Sequence, residues 1–250
     1  MSGTAVLLSG GLDSAVLLAD EAARGQVQPI YVSVGLAWEA AEREMVSQFL
    51  AHARLRGRVR PLVSLSVDMR DVYAATHWAM QGRPPAYHTP DEDVYLPGRN
   101  IVLLGKAGVY CAAVKLDRVV LGTLAHNPFP DATPEFRAAM ARALTLGLAH
   151  DLQIDAPFAG WSKAEVIKRG IEIGLPLELT LSCMSPVVAR PSSLVARAAT
   201  ASEQRATRNE QPDLPIHCGL CSKCRERHDG FLELGLADPT VYEDERHVRA

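Results

Sequence analysis

The run Val6-Leu7-Leu8-Ser9-Gly10-Gly11-Leu12-Asp13-Ser14-Ala15-Val16-Leu17-Leu18 decides the architecture. An apolar segment, residues 5–8, stops at Ser-Gly-Gly, and an amphipathic segment, residues 14–23, starts directly after it. That order reads as strand, tight glycine turn, helix. Gly10 and Gly11 carry no Cβ, so the backbone can curl close to a ligand. The turn's N–H groups and the helix N-terminus behind it then face one point, which makes an anion site. Ser9, Asp13 and Ser14 add side-chain oxygens around the turn. Taken alone, a glycine turn reads more plainly as an ordinary strand-to-helix connection. It does not end in the Gly-Lys-Ser/Thr of a Walker loop.

Outward from this turn, apolar strand-like runs recur at residues 28–34, 62–67, 118–122 and 152–154. Helix-like stretches lie between them at 14–24, 38–55, 101–114 and 134–148. The alternation predicts an α/β fold, a parallel sheet with helices on both faces. Thr133-Pro134-Glu135 is a helix start with a capping hydroxyl and proline at the first position. Ser162-Lys163-Ala164-Glu165 reads as a capping box that opens a helix ending near Gly174. Residues 73–80 look helical, with His77 and Trp78 read as packing side chains. Residues 81–97 carry several prolines and mixed charges, which suits a loop over the ligand end of the sheet. Asp91-Glu92-Asp93 within it reads as solvated.

A chain of 250 residues makes one large or two small domains. The expected division is residues 1–176 for the α/β domain and 177–250 for a smaller helical metal-binding part. The latter carries an insertion at 185–215, part helical at 194–208, whose four arginines (Arg190, Arg197, Arg205, Arg208) read as a solvated face. A net charge of −3 gives a polyanion no global attraction, so no stable nucleic-acid partner is expected. Neither a basic hydrophobic leader nor a long uncharged apolar span occurs, which predicts a cytoplasmic protein without a membrane segment. A homodimer is compatible with this composition.

Five cysteines in such a chain suit metal ligation or burial better than disulfides. Cys218-Gly-Leu-Cys221-Ser-Lys-Cys224 sets three thiols at i, i+3 and i+6. A closed tetrahedral Zn²⁺ site needs a fourth ligand. Cys183 is the leading candidate, with His217 and His228 as competitors. Four thiolates leave no open position, so such a metal is structural. Redox chemistry is the alternative use of Cys-x-x-Cys. Cys111, midway along an apolar helix, reads as a small core side chain.

Ser9-Gly10-Gly11-Leu12-Asp13-Ser14 resembles the pyrophosphate loop of the PP-loop ATP pyrophosphatases, whose fold is adenine-nucleotide alpha-hydrolase-like. With the late cysteine set, the chain resembles the QueC family of 7-cyano-7-deazaguanine synthases. Further segments agree: Pro97-Gly98-Arg99-Asn100, Phe129-Pro130-Asp131, Trp161-Ser162-Lys163-Ala164-Glu165, and Leu177 through Cys183. The resemblance implies ATP-dependent conversion of 7-carboxy-7-deazaguanine to the nitrile with ammonia. It implies adenylation of the carboxylate first, with Mg²⁺ offsetting the charge of the pyrophosphate. Nucleotide contacts would come from Leu8 through Leu18 (that is, Leu8, Ser9, Gly10, Gly11, Leu12, Asp13, Ser14, Ala15, Val16, Leu17, Leu18), from Tyr31, Val32 and Ser33, and from Gly122. Asp13, Arg99 and Lys163 would serve catalysis, and Cys183, Cys218, Cys221 and Cys224 would hold Zn²⁺.

Two segments depart from the family pattern. Where the family carries Asp-Tyr-Gly-Gln-Arg-His, this chain reads Ser33-Val34-Gly35-Leu36-Ala37-Trp38. Before Phe129 it reads Ala125-His126-Asn127-Pro128 in place of Asp-x-Ser-Gly. An amidating ligase for another heteroaromatic carboxylate therefore stays open beside the deazaguanine reading, and so does a tRNA-modifying PP-loop enzyme. Leu36, Ala37, Trp38, His126 and Asn127 are the residues expected to line a more apolar pocket.

Overall fold

In the computed structural model, β1 (Thr4–Leu7), β2 (Val27–Ser33), β3 (Val63–Ser66), β4 (Arg118–Val120) and β5 (Gln153–Asp155) form one sheet. Every pairing is parallel and the order is β3-β2-β1-β4-β5. Residues 3–51, 55, 58–188 and 214–248 are described. The strand order reverses direction at β1 and β4. In an open parallel sheet the crevice beyond the carboxyl ends of two such strands is where ligands bind.

The sheet is covered by α1 (Leu12–Arg24), α2 (Glu39–Leu50), α4 (Arg99–Val114), α5 (Pro134–Leu148) and α6 (Lys163–Glu172), with α3 (Trp78–Gln81) a single turn. All five strand-like runs become strands. The expected helix 134–148 is α5 with the same bounds. Thr133 caps it by accepting from the Phe136 N–H, and Ser162 and Glu165 form the reciprocal capping box of α6. Two expectations shorten. The helix expected over 38–55 closes at Leu50, and of 73–80 only α3 is helical, because His77 caps it with Nδ1 accepting from Ala79.

The carboxyl-terminal part shares its core with the sheet. Leu177 and Phe231 lie in one apolar cluster with Val16 and Leu17 of α1. α7 (Ser222–Glu233) packs on α6, where Gly230 leaves no room for a Cβ, which would stand 2.6 Å from Cγ of Lys163. β6 (Val187–Val188) and β7 (Pro215–Ile216) pair antiparallel across the insertion. The arginines and the helix expected within it lie outside the described residues.

Candidate active site

The glycine turn forms at the switch point. Gly10 has φ +80, and a Cβ there would stand 3.1 Å from both the Glu42 carbonyl oxygen and Val46 Cγ2. The Gly10 carbonyl accepts from the Leu181 N–H at 2.8 Å, which ties the turn to the carboxyl-terminal part. Ser14 Oγ donates to the Gly11 carbonyl at 2.9 Å and accepts from the Ser9 N–H at 3.2 Å. Gly11 caps α1 without a side-chain bond, and the first amide bonded within the helix is that of Ala15. The amides at the start of α1 are thus available to an anion. Gly122, just after β4, faces this turn. A Cβ on it would stand 3.3 Å from the Ser14 nitrogen, so a side chain there would press on the turn's backbone and glycine eases the approach.

Two joined chambers open at the turn. The first, about 250 Å³, is walled by Ile30, Tyr31 and Val32 of β2 with Leu96, Leu103 and Leu121. The second, about 270 Å³, is walled by Trp38, Trp78, Asp91, Met184, Lys223 and Glu226. Ser9, Gly11, Asp13, Glu42, Arg99 and Gly122 line both. Arg99 begins α4 after Gly98, whose φ is +78. Its Nε is buried with no partner among the described residues, so a cation is held in reserve where the chambers meet. Asn100 behind it donates from both its backbone and its side chain to Asp131 at 3.1 Å. That lock explains why the Pro-Gly-Arg-Asn and Phe-Pro-Asp segments occur together.

Lys163, the first residue of α6, donates to both Asp13 oxygens at 2.7 Å and pairs with Glu226 at 2.8 Å. Lys223 reaches the other Glu226 oxygen at 2.5 Å. Burial alone would pull the Lys163 ammonium down, but Asp13 and Glu226 hold it above its ordinary value. Burial likewise opposes the charged form of Glu226, yet Lys163 and Lys223 outweigh it and hold that carboxyl at about 2. Burial pushes the Asp13 carboxyl up against the pull of Lys163.

Of the expected nucleotide contacts, Leu8, Ser9, Gly11, Leu12, Asp13, Ser14, Tyr31, Val32 and Gly122 line the chambers. Gly10 shapes the turn from behind. Ala15, Val16, Leu17 and Leu18 are buried in the core of α1, and the Ser33 hydroxyl is turned to Glu39. Trp38, His126 and Asn127 line the second chamber, whereas Leu36 is in the core. Trp78 and Asp91, read as packing and solvated, also line it. Glu42, Lys223 and Glu226 escaped the reading of the sequence. The available signals were Trp38 and Glu42 at i, i+4, and Lys223 and Glu226 at i, i+3, each pair on one helix face.

The thiol sulfurs of Cys183, Cys218, Cys221 and Cys224 lie within 4.8 Å of one another, a cage able to hold a metal ion. Backbone N–H groups of Ser185 and Cys218 donate to the Cys183 sulfur at 3.3 Å, and that of Leu220 to the Cys218 sulfur at 3.4 Å. Gly219, φ +76, is forced because a Cβ would collide with the Asp244 carbonyl. His217 stands outside the cage, its Nε2 accepting from the Ser182 N–H at 3.1 Å. His228 faces Asp238 at 3.8 Å. Burial pushes the Cys111 thiol up to about 12, consistent with an inert core side chain.

A parallel sheet with a glycine turn at its switch point and a charged chamber beside that turn is the architecture of a PP-loop enzyme. The chain belongs to the QueC family: the family's sequence model, described as "Queuosine biosynthesis protein QueC", matches residues 4–235. Similar curated proteins are named 7-cyano-7-deazaguanine synthase. That of Methanopyrus kandleri is 30% identical over 97% of this chain and 99% of its own length. That of Thermoplasma acidophilum is 31% identical over 95% and 91%, and that of Anaeromyxobacter dehalogenans is 30% identical over 95% and 94%.

Proposed function

We propose that this chain converts 7-carboxy-7-deazaguanine to 7-cyano-7-deazaguanine with ATP and ammonia. The observation that carries the reading is the junction: the phosphate-type turn and Arg99, whose buried Nε has no partner among the described residues, sit where two chambers meet. The first chamber would take the adenosine, with Tyr31 and Val32 presenting β2 backbone to the base and Gly122 letting the ribose-phosphate approach. The α1 amides, Ser9 and Ser14 would hold the leaving pyrophosphate. Mg²⁺ held near Asp13 would offset phosphate charge. Lys163 would exchange part of its carboxylate contact for phosphate, and Arg99 would bind the carboxylate or the α-phosphate. Adenylation turns a poor electrophile into a good one. Ammonia then gives the amide, and a second activation removes its oxygen to leave the nitrile.

Zn²⁺ in the four-thiolate cage would have a structural role, fixing the start of α7 and with it Lys223 and Glu226. No helix among the described residues is long and apolar enough to cross a membrane. A cytoplasmic site of action fits this chemistry, in which ATP and ammonia are drawn from the cell's interior.

A second reading, amidation of another heteroaromatic carboxylate, is favoured by one observation. Trp38 and Trp78 stack at 5.8 Å in the second chamber, where the family pattern has polar residues. Incubation with ATP, Mg²⁺, ammonium and 7-carboxy-7-deazaguanine, followed by mass spectrometry, separates the two. Nitrile product supports the first. Its absence, with pyrophosphate released on another heteroaromatic carboxylate, replaces it with the second.

A further inference from the structure

Each turnover of the amidating reaction must strip protons from one nitrogen, and a base has to stand where the activated carboxyl sits. That place is the junction of the chambers, since the α-phosphate comes from one and the carboxylate from the other. Two carboxylates line it, Asp13 and Glu42. Both oxygens of Asp13 accept from Lys163 at 2.7 Å, and an oxygen released when Lys163 turns to phosphate is the one assigned above to Mg²⁺. Glu42 enters no ion pair among the described residues. Its Oε2 accepts from the Tyr31 hydroxyl at 2.8 Å, and its Oε1 accepts from the Trp38 indole N–H at 3.0 Å. Tyr31 walls the first chamber and Trp38 the second, so the carboxylate is held between them by two neutral donors. Each oxygen keeps a further lone pair.

We propose that Glu42 is the general base that takes the proton from the attacking amine nitrogen. This rests on the amidating reading above. The nitrogen lone pair of ammonia attacks the carbonyl carbon of the acyl adenylate. One N–H proton passes to the Glu42 carboxylate, and the C–O bond to AMP breaks with its electron pair leaving on AMP. The products are the amide, AMP and protonated Glu42, which returns its proton to water before the next step. In the nitrile-forming half the amide oxygen is adenylated and the same nitrogen loses its two remaining protons as AMP departs. One base at one place serves all three transfers.

The groups facing Glu42 suit the task. Burial pushes its carboxyl up to about 7, with Glu39 on the same helix adding to the shift; Arg99 from α4, Tyr31 from β2 and Trp38 oppose it. A base poised near the working pH is the effective one. Tyr31 cannot replace it, because burial beside Glu42 raises the phenol above its ordinary value.

The test is Glu42→Gln, which keeps the side chain's shape. Three readouts are compared with wild type: carboxylate-dependent ATP–pyrophosphate exchange, turnover with ammonia, and trapping of the adenylate by hydroxylamine, a stronger nucleophile that needs little base assistance. Exchange and hydroxamate formation should stay within about threefold, while ammonia turnover falls about 100-fold or more, the usual span of general-base loss. Equal loss with both nucleophiles, or no loss with ammonia, overturns the assignment. Wild type supplies an independent check if the variant misfolds. With each rate corrected for the unprotonated nucleophile, its ammonia turnover should fall on the acid side of about pH 7, and its hydroxylamine reaction should not. A shared acid limb overturns the proposal. Absence of exchange in wild type would instead count against the amidating reading.

Discussion

Replacing Lys163 by methionine removes the cation that Asp13 and Glu226 share, and the structure gives the size of the effect. The lysine side chain is 13% exposed and lies 2.7 and 2.8 Å from the two carboxylates. Breaking a buried pair by deleting one partner costs about 3–5 kcal/mol. Glu226 offers a second estimate. Lys163 and Lys223 together lower its carboxyl from an ordinary 4.5 to about 2, which at about 1.4 kcal/mol per unit is worth about 3–4 kcal/mol at neutral pH, shared between the two lysines. Asp13, held up by burial, offsets part of this. The sign with pH follows. A lowered folded-state value stabilises above 4.5 and is lost as pH falls through about 2. In the variant, two crowded carboxylates rise instead, and their penalty shrinks as acid protonates them. Urea unfolding at pH 7 should therefore show Lys163→Met less stable by about 3 kcal/mol or more, and the gap should narrow on acidification, first as the variant's carboxylates protonate and then as wild type loses its own gain towards about pH 2. A gap below about 1 kcal/mol, the scale of an exposed pair, or one unchanged with pH, would refute the reasoning.

At the turn, Gly10→Val should abolish pyrophosphate release, because a side chain at φ +80 would press on Glu42 and Val46; Asp13→Ala should do the same by freeing Lys163, and stopped assays with retained far-UV dichroism check both. Serine at Cys183, Cys218, Cys221 or Cys224 should lower bound zinc and thermal stability, whereas Cys111→Ser and His217→Ala should leave the metal content at wild-type level by elemental analysis. Trp38→Ala should weaken acceptor binding by about tenfold or more in calorimetry with a non-hydrolysable ATP analogue, since it removes both the stacked wall and a donor to Glu42.

The parts of this molecule governed by local rules were legible in the sequence. Strand runs, the glycine turn, the Thr133 cap and the Ser162 capping box each depend on a few adjacent residues, and each forms where the pattern puts it. The cysteine spacing likewise located the cage. The walls of the second chamber were less legible. Trp78 and Asp91 reach it from one stretch and Lys223 and Glu226 from another far along the chain, and each has an ordinary reading in its own neighbourhood. Residues 15–18 show the opposite error of scale. They adjoin the turn in sequence, but α1 is buried on nearly all sides beyond its first turn, so they pack into the core instead of facing the ligand crevice. The short α3 shows a cap overriding an apolar period, because His77 starts the helix where the run alone would have extended it.

The central claim is that the substrate's carboxylate is activated by attachment to AMP at the junction of the two chambers. It is tested by supplying 7-carboxy-7-deazaguanine labelled with ¹⁸O in both carboxylate oxygens and weighing the products. The account predicts two AMP per nitrile, each carrying one ¹⁸O, with both pyrophosphates unlabelled. Label in orthophosphate accompanied by ADP would place the activation on the γ-phosphate and contradict it.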